Sequence, residues 1–303
     1  MSAPVATGFA FRRPVADDLA AAARIVAAEE TGVRGHSTWG IAETRDWWNA
    51  ASLDESWIVE ADGEPVALGM LAHRPERTIC WVSVDPRYNG RGLATDLLAR
   101  GERRARELGS PLLSVGMFAE NDAAARLFER IGFREVRHFF QMRIDLDRPP
   151  EQPVWPAGIT VSTFRREDAR DFKAALDEAF AEEWGHHSMP FEEWKERRVE
   201  APEADHSLWF IARDGDEIAG VLRGEADKHG GGFVAALGVR RAWRRRGVGL
   251  ALLRHAFGEF HRRGLPRATL GVDAQNPTDA TRLYERAGMR VVKEDVVFEK
   301  ELT

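Results

Sequence analysis

Two stretches, RYNGRGLATDLL at residues 87–98 and RRRGVGLALL at residues 244–253, share one pattern. Both fit Arg-x-x-Gly-x-Gly followed by Leu-Ala and an apolar helical pattern. The positions matched in this way, 157 residues apart, are Arg87, Gly90 and Gly92 in the first stretch and Arg244, Gly247 and Gly249 in the second. Further on, NDAAARLFERIGF at 121–133 resembles NPTDATRLYERAGM at 276–289. Two motifs in the same order at nearly one offset indicate a duplicated domain.

The composition is that of a globular protein with two domains. A chain of 303 residues accommodates two domains of about 150 residues. The net charge of -6, with neither a basic helix face nor a stacking motif, argues against nucleic acid as a partner. The only cysteine, Cys80, lies in an apolar segment, so we expect core packing and neither a disulfide nor a metal site.

The chain lacks the usual signs of a membrane or exported protein. No apolar run approaches the roughly 20 residues of a membrane span. The start, MSAPVATGFAFRRP, lacks the basic-then-apolar order of a signal peptide. We therefore expect a cytoplasmic protein with no membrane partner.

A proline-rich stretch, DRPPEQPVWPAG at 147–158, separates the two halves. We expect an N-terminal domain over 1–147, a linker over 148–157 and a C-terminal domain over 158–303. The pattern of each half predicts the same order of elements. A strand and a helix come first, followed by a strand pair around an Asp-Gly turn, a core strand and the glycine loop. A helix, a strand, a short helix and a closing strand then complete each half. The expected fold class is mixed α/β (α+β), with a largely antiparallel sheet and one β-loop-α crossover.

The second glycine loop follows an apolar strand and opens a helix. Helix N-termini carry unpaired amides and a partial positive charge, and glycines let that backbone close on an oxyanion, so a phosphate ligand is expected. A Walker loop would need Gly-Lys-Ser/Thr, and neither stretch supplies it. A dinucleotide fingerprint would need a third small residue where Leu252 and Thr95 stand.

The chain resembles, over nearly its full length, a tandem of two domains of the GNAT (GCN5-related N-acetyltransferase) family. The loops resemble that family's Arg/Gln-x-x-Gly-x-Gly/Ala signature, and the second motif resembles its Asn-x-x-Ala-x-x-Leu-Tyr-x-x-x-Gly-Phe signature. The tandem and the stretch AEEWGHHSMPFEEW at 181–194 resemble mycothiol-synthase-like proteins. The resemblance implies two acyl-CoA acyltransferase folds, each with a mostly antiparallel sheet splayed between its fourth and fifth strands and with flanking helices.

The resemblance also implies acetyl-CoA as co-substrate, without a metal. Strand-end amides would bind the acetyl carbonyl, and the loop would bind the pyrophosphate. In the second half the implied residues are Leu237, Gly238, Val239, Arg244, Arg245, Arg246, Gly247, Val248, Gly249, Leu250, Ala251 and Asn276. In the first half they are Val82, Ser83, Val84, Arg87, Asn89, Gly90, Arg91, Gly92, Leu93, Ala94 and Asn121. Arg240 and Arg241 are expected only to be solvated, and Gly238 is expected at a bulge or a close approach.

Tyr284 is the predicted catalytic acid, because the family's tyrosine at this position lies near the sulfur. A phenol with a pKa of about 10 can protonate a departing thiolate. Phe128 stands at the corresponding place in the first half and cannot donate a proton. We therefore expect the C-terminal copy to be catalytic and the N-terminal copy to be without turnover.

The catalytic base is left open among Glu182, Glu183, Glu225 and Asp273, each of which also fits a solvated surface acid. The resemblance to mycothiol synthases implies a glutamate at the position where this chain has Phe233. This difference argues against a straightforward mycothiol synthase. The acceptor pocket is equally open between aromatic lining and core packing. Its candidates are His186, His187, Trp184 and Trp194, with Trp39, Trp47 and Trp48 in the first half.

The sequence thus predicts an acetyl-CoA-dependent N-acetyltransferase for the primary amine of a small molecule. The alternatives are an acyl-CoA-binding regulatory module without turnover, and an acyltransferase for a protein amine or a longer acyl chain. A monomer with a pseudo-twofold pair of domains is expected, and a homodimer is left open.

Overall fold

A computed structural model describes residues 8–185, 188–276 and 278–302, so the predicted pocket residues His186 and His187 lie outside the described part. The described chain forms two compact units. The first unit comprises the residues up to Phe139 together with those from Glu294 onward, and the second unit runs from Phe140 to Lys293.

The described residues of the first half form six strands and four α-helices. The strands are β1 (Ala10–Arg12), β2 (Trp57–Ala61), β3 (Glu64–Arg74), β4 (Arg77–Val84), β5 (Leu112–Phe118) and β6 (Arg134–Asp145). The helices are α1 (Leu19–Arg34), α2 (Ile41–Ala50), α3 (Leu93–Glu107) and α4 (Asp122–Arg130).

The second half repeats this order. Its strands are β7 (Ile159–Thr163), β8 (Trp209–Asp214), β9 (Glu217–Lys228), β10 (Gly231–Val239), β11 (Arg267–Asp273) and β12 (Arg290–Glu301). Its helices are α5 (Ala169–Phe180), α6 (Phe191–Trp194), α7 (Val248–Arg262) and α8 (Ala280–Arg286). The mixed α/β class expected from the sequence is confirmed.

The closing strands are exchanged between the two halves. The strand order is β1-β2-β3-β4-β5-β12 in the first unit and β6-β11-β10-β9-β8-β7 in the second. In the first unit, Asp295–Glu301 of β12 pair antiparallel with Phe118–Leu112 of β5. The expectation that each half is closed by its own last strand is therefore wrong. In a duplicated chain the two edges are equivalent, so each edge can accept either copy of the closing strand.

Each unit contains a short parallel strand pair that soon separates. In the first unit β4 and β5 pair only through Thr78–Cys80 and Leu113–Val115. In the second unit β10 and β11 pair only at Gly232 and Phe233 with Ala268 and Thr269. Beyond these residues the strands diverge, and the splayed sheet implied by the resemblance is confirmed.

Aromatic side chains dominate the core of the second unit. Phe172, Trp209, Phe257 and Phe260 are each 2% exposed or less. Phe260 of α7 packs so closely on β10 that a Cβ at Gly232 would lie 2.5 Å from its ring. This contact fixes α7, and with it the start of the helix, against the strand that precedes the glycine loop.

Candidate functional site

The second glycine loop links the end of β10 to the start of α7. After a 3-10 turn at Arg241–Trp243, the chain takes left-handed backbone at Arg245, with φ of 61°, and again at Gly247, with φ of 92°. Gly247 is the N-cap of α7, and the first helical bond runs from the Ala251 N–H to the Gly247 carbonyl at 3.0 Å. The N–H groups of Val248, Gly249 and Leu250 therefore have no acceptor within the helix.

The first loop has the same backbone 155 residues earlier, not 157. Its 3-10 turn is Pro86–Tyr88, and Asn89 follows with φ and ψ of −60° and 153°, where Arg244 has −61° and 149°. The residues with left-handed backbone correspond in the same register, Gly90 with Arg245 and Gly92 with Gly247. The sequence alignment through Arg87 is therefore wrong by two residues, because an Arg-x-x-Gly-x-Gly spacing occurs there by coincidence.

In the corrected register the first loop lacks the arginine of the motif. Asn89 occupies the position of Arg244, and Ala94 that of Gly249. Arg87 instead forms an ion pair with its neighbour Asp85, with Nη2 2.6 Å from Oδ2, and its side chain is 78% exposed. Arg91, Gly92, Leu93 and Ala94 still surround the start of α3, with Leu93 buried.

The glycines of the second loop have different roles. Gly247 needs its left-handed φ, and the nearest atom to a Cβ there would be Pro156 Cγ at 3.8 Å. A Cβ at Gly249 would meet Leu283 Cδ2 at 3.2 Å and Val239 Cγ2 at 3.3 Å. Gly249 therefore permits close packing of α7, whereas Gly247 leaves open the space in front of the helix amides.

Three arginines of the block at 240–246 bind acidic residues at the end of α5. Arg240 Nε lies 2.7 Å from Glu178, and Arg241 lies 3.0 Å from Glu182, so the expectation that both are merely solvated is wrong. Arg244 bonds Glu182 at 3.0 Å, the Ala179 carbonyl at 3.1 Å and, through Nε, the Val239 carbonyl at 3.3 Å. Arg244 thus joins the end of α5 to the end of β10.

Arg245 and Arg246 face outward from the same loop. Both are exposed, and neither side chain has a hydrogen-bond or ion-pair partner within the described ranges. Two unpaired guanidinium groups beside three free helix amides form an arrangement that fits the pyrophosphate of acetyl-CoA. Leu250 and Ala251 complete the first helical turn, with Ala251 buried.

The edge of β10 is open beyond its short pairing with β11. Leu237, Gly238 and Val239 end β10 beyond its last pairing with β11. A strand irregularity lies between Val234 and Ala236, and Gly238 serves a close approach, since its Cβ would be 2.9 Å from Ala179 Cβ. In the first unit Val82, Ser83 and Val84 hold the same position at the end of β4.

Tyr284 lies on α8 and is 9% exposed. Burial raises the pKa of its phenol, and the charge of Glu183 raises it further, so the group is protonated at neutral pH and can act as a proton donor. Phe128, on α4 of the first unit, is 5% exposed and packs against Phe133 and Phe298. The corresponding position of the first unit therefore holds a purely apolar contact.

Two of the candidate bases form ion pairs that keep their carboxyl groups ionised. Hydrogen bonding to Arg244, together with the charge of Arg241, holds the pKa of the Glu182 carboxyl below its usual range. Burial favours the protonated form of Glu225, but Arg223 and Lys228 outweigh it and hold its pKa low. Asp273 caps the turn after β11 by accepting the Gln275 N–H at 2.8 Å.

Glu183 differs from these carboxylates. It is half-buried and accepts a hydrogen bond at 2.9 Å from Asn276 Nδ2. Burial raises its pKa, the nearby charge of Asp273 adds to the effect, and the bond from Asn276 and the charge of Arg244 do not cancel it. In the first unit the corresponding contact, from Asn121 Nδ2 to Glu29, is 3.5 Å long.

The tryptophans divide between core and surface. Trp194 is buried against Phe172, and Trp48 is also buried, so for these two the core-packing alternative is confirmed. Trp39 and Trp47 are partly exposed, with ring centroids 4.6 Å apart, and Trp47 stacks on Trp81 at 5.4 Å. Trp184 is partly exposed beside Glu183.

The described residues form neither a metal-binding cluster nor a membrane-spanning helix. No three His, Cys, Asp or Glu side chains within these ranges are grouped so that they could hold a metal ion. None of the described helices is both long and apolar enough to cross a membrane. The second unit combines unpaired arginines at a helix N-terminus, an open strand edge, a buried phenol and a carboxylate of raised pKa.

Comparisons with known proteins agree with this geometry. The Acetyltransferase (GNAT) family model matches residues 21–133 and again residues 169–289. The chain is 34% identical over 214 residues to the mycothiol acetyltransferase of Streptomyces scabiei, covering 67% of this chain and 68% of that protein.

Solved structures show the same fold. A GCN5-related N-acetyltransferase from Sphaerobacter thermophilus is 35% identical, with a TM-score of 0.85 over 98% of this chain and 96% of that one. A tandem GNAT protein from the clavulanic acid biosynthesis pathway is 15% identical, with a TM-score of 0.72 over 97% and 99%. This chain belongs to the GNAT family as a tandem acetyl-CoA-dependent N-acetyltransferase.

Proposed function

We propose that the second unit transfers the acetyl group of acetyl-CoA to the primary amine of a small molecule, and that the first unit does not turn over. The observation that carries this proposal is that corresponding positions of the two units hold different residues. The second has Arg244 and Tyr284, where the first has Asn89 and Phe128. Relatives named mycothiol acetyltransferase support a small-molecule acceptor.

Acetyl-CoA supplies an acetyl group activated as a thioester. Arg245, Arg246 and the first amides of α7 would hold its pyrophosphate, since charge-assisted bonds to phosphate are strong. The strand-end backbone at 237–239 would orient the carbonyl and stabilise the developing oxyanion. Tyr284, whose phenol carries its proton at neutral pH, would give that proton to the leaving sulfur.

The acceptor is proposed to differ from that of the mycothiol acetyltransferases. Phe233 lies opposite Glu225 in the β9–β10 register, and Lys228 Nζ lies 4.5 Å from the centroid of its ring. An apolar ring with a cation over its face stands where the resemblance to mycothiol-synthase-like proteins implies a glutamate. This change alters both the charge and the shape of the acceptor side of β10.

The test is acetyl-CoA consumption by the full chain with a panel of amines that includes aminoglycosides, amino-sugar thiols and a lysine-containing peptide. We expect turnover with a small amine and none with the peptide. Tight acetyl-CoA binding without turnover of any amine would instead support a regulatory acyl-CoA-binding module. Turnover of the peptide alone would support a protein acetyltransferase.

A further inference from the structure

Glu183 lies in the turn that directly follows α5. Its N–H bonds the Phe180 carbonyl at 2.9 Å, so it directly continues α5. The last turn of α5 lies against the end of β10, since a Cβ at Gly238 would be 2.9 Å from Ala179 and 3.6 Å from the Phe180 ring. The segment that carries Glu183 therefore lies beside the open edge of β10.

The hydrogen bond from Asn276 orients the Glu183 carboxylate and leaves it able to accept a proton. Asn276 Nδ2 can only donate, and its Oδ1 already accepts the Thr278 N–H at 2.8 Å. In the described parts of the chain the Glu183 carboxylate accepts no other hydrogen bond. One of its oxygens is therefore free to take a proton from a bound amine or from an intervening water.

Burial and the charge of Asp273 raise the pKa of the Glu183 carboxyl above its usual value. Asp273 and Tyr284 lie close enough to interact with it electrostatically, and so does Arg244, whose Nη1 is bonded to Glu182 at 3.0 Å. By contrast, Glu182 and Glu225 are held ionised by direct ion pairs with arginine. A general base is most efficient when its pKa approaches the working pH.

We infer that Glu183 is the general base of the second unit, an inference that rests on the proposed function. Glu183 takes one proton from the acceptor ammonium, which leaves a neutral amine whose lone pair forms the C–N bond at the acetyl carbon. As the C–S bond breaks, Tyr284 gives its proton to the sulfur and recovers one from the acylated nitrogen. Glu183 then releases its proton to water, so the sum is ammonium and thioester to amide, thiol and one proton.

The test compares Glu183→Gln with Glu29→Gln, which changes the counterpart carboxylate of the first unit. With the best amine of the panel, we expect kcat for Glu183→Gln to fall roughly 10²- to 10⁴-fold, the usual range for loss of a general base. Acetyl-CoA affinity by calorimetry should be unchanged. The remaining rate should rise tenfold per pH unit until the acceptor amine is itself deprotonated, while Glu29→Gln keeps the wild-type profile.

A second measurement needs no substrate. In protein labelled with carboxyl-¹³C glutamate, one resonance should titrate above the usual glutamate range and should be missing from Glu183→Gln. If this resonance is absent from the wild type, or if Glu183→Gln keeps both kcat within twofold and the wild-type acid limb, the assignment of Glu183 is overturned. If no amine is turned over by the wild type, the proposed function fails instead.

Discussion

Replacing Tyr284 with phenylalanine isolates the contribution of one hydroxyl group. Tyr284 is 9% exposed, and its hydroxyl has no hydrogen-bond partner in the ranges that the structure describes. Removing it breaks no protein hydrogen bond, so the free energy of unfolding should change by less than about 1 kcal/mol. Phe128 shows that the corresponding place in this fold accepts a phenylalanine.

The expected effect of Tyr284→Phe is therefore catalytic. Loss of a general acid costs about 10²- to 10⁴-fold in kcat, which corresponds to roughly 3–5 kcal/mol of transition-state stabilisation. Thiol release followed with a chromogenic reagent gives kcat, and calorimetry gives the dissociation constant of acetyl-CoA, which should not change. A kcat within threefold of the wild type, in a variant of unchanged thermal stability, would refute the role of Tyr284 as acid.

Two further predictions concern stability: one compares substitutions at two glycines, and the other replaces an arginine with left-handed backbone. Gly232→Ala should lower the free energy of unfolding by about 1–3 kcal/mol in denaturant titrations, because its Cβ would lie 2.5 Å from the Phe260 ring. Gly258 lies in α7, the helix that carries Phe260, and a Cβ there would have no atom within 4 Å. Gly258→Ala should therefore raise the free energy of unfolding by roughly 0.5–1 kcal/mol. Equal effects of Gly232→Ala and Gly258→Ala would contradict the close packing of Gly232 on Phe260. Arg245→Gly should relieve a left-handed φ of 61° and raise stability by about 1 kcal/mol while weakening acetyl-CoA binding in calorimetry; tighter binding would exclude Arg245 from the anion site.

The duplication and the fold class could be predicted because they rest on local patterns. Glycine loops, Asp-Gly turns and helical periodicity each depend on neighbouring residues, and both copies carried them. The exchange of β6 and β12 could not be predicted, since both closing strands satisfy either edge equally well. Only the packing of the whole chain decides between two equivalent pairings.

The site was only partly predictable for a similar reason. Arg87 satisfied the motif by spacing alone, and the backbone angles of Asn89 were needed to correct the register. Glu182 and Glu183 are adjacent acids with the same sequence signal. Their different environments, ion pairs with Arg241 and Arg244 for one and burial beside Asn276 for the other, arise from contacts about 60 to 90 residues away in sequence.

We propose that acetyl transfer takes place in the second unit, whose glycine loop opens α7, and not in the first unit, whose glycine loop opens α3. Gly247 and Gly92 form a matched pair, since each is an N-cap with φ of 92° or 83° and an open surrounding. Valine at either position imposes a similar backbone strain, so differences in turnover report on the site. We predict that Gly247→Val loses at least about 100-fold in kcat/KM for acetyl-CoA, as expected when a hydrogen bond to a charged phosphate, worth roughly 2–3 kcal/mol, is blocked, while Gly92→Val stays within about threefold of the wild type. Loss of turnover in Gly92→Val with retention in Gly247→Val would contradict the account.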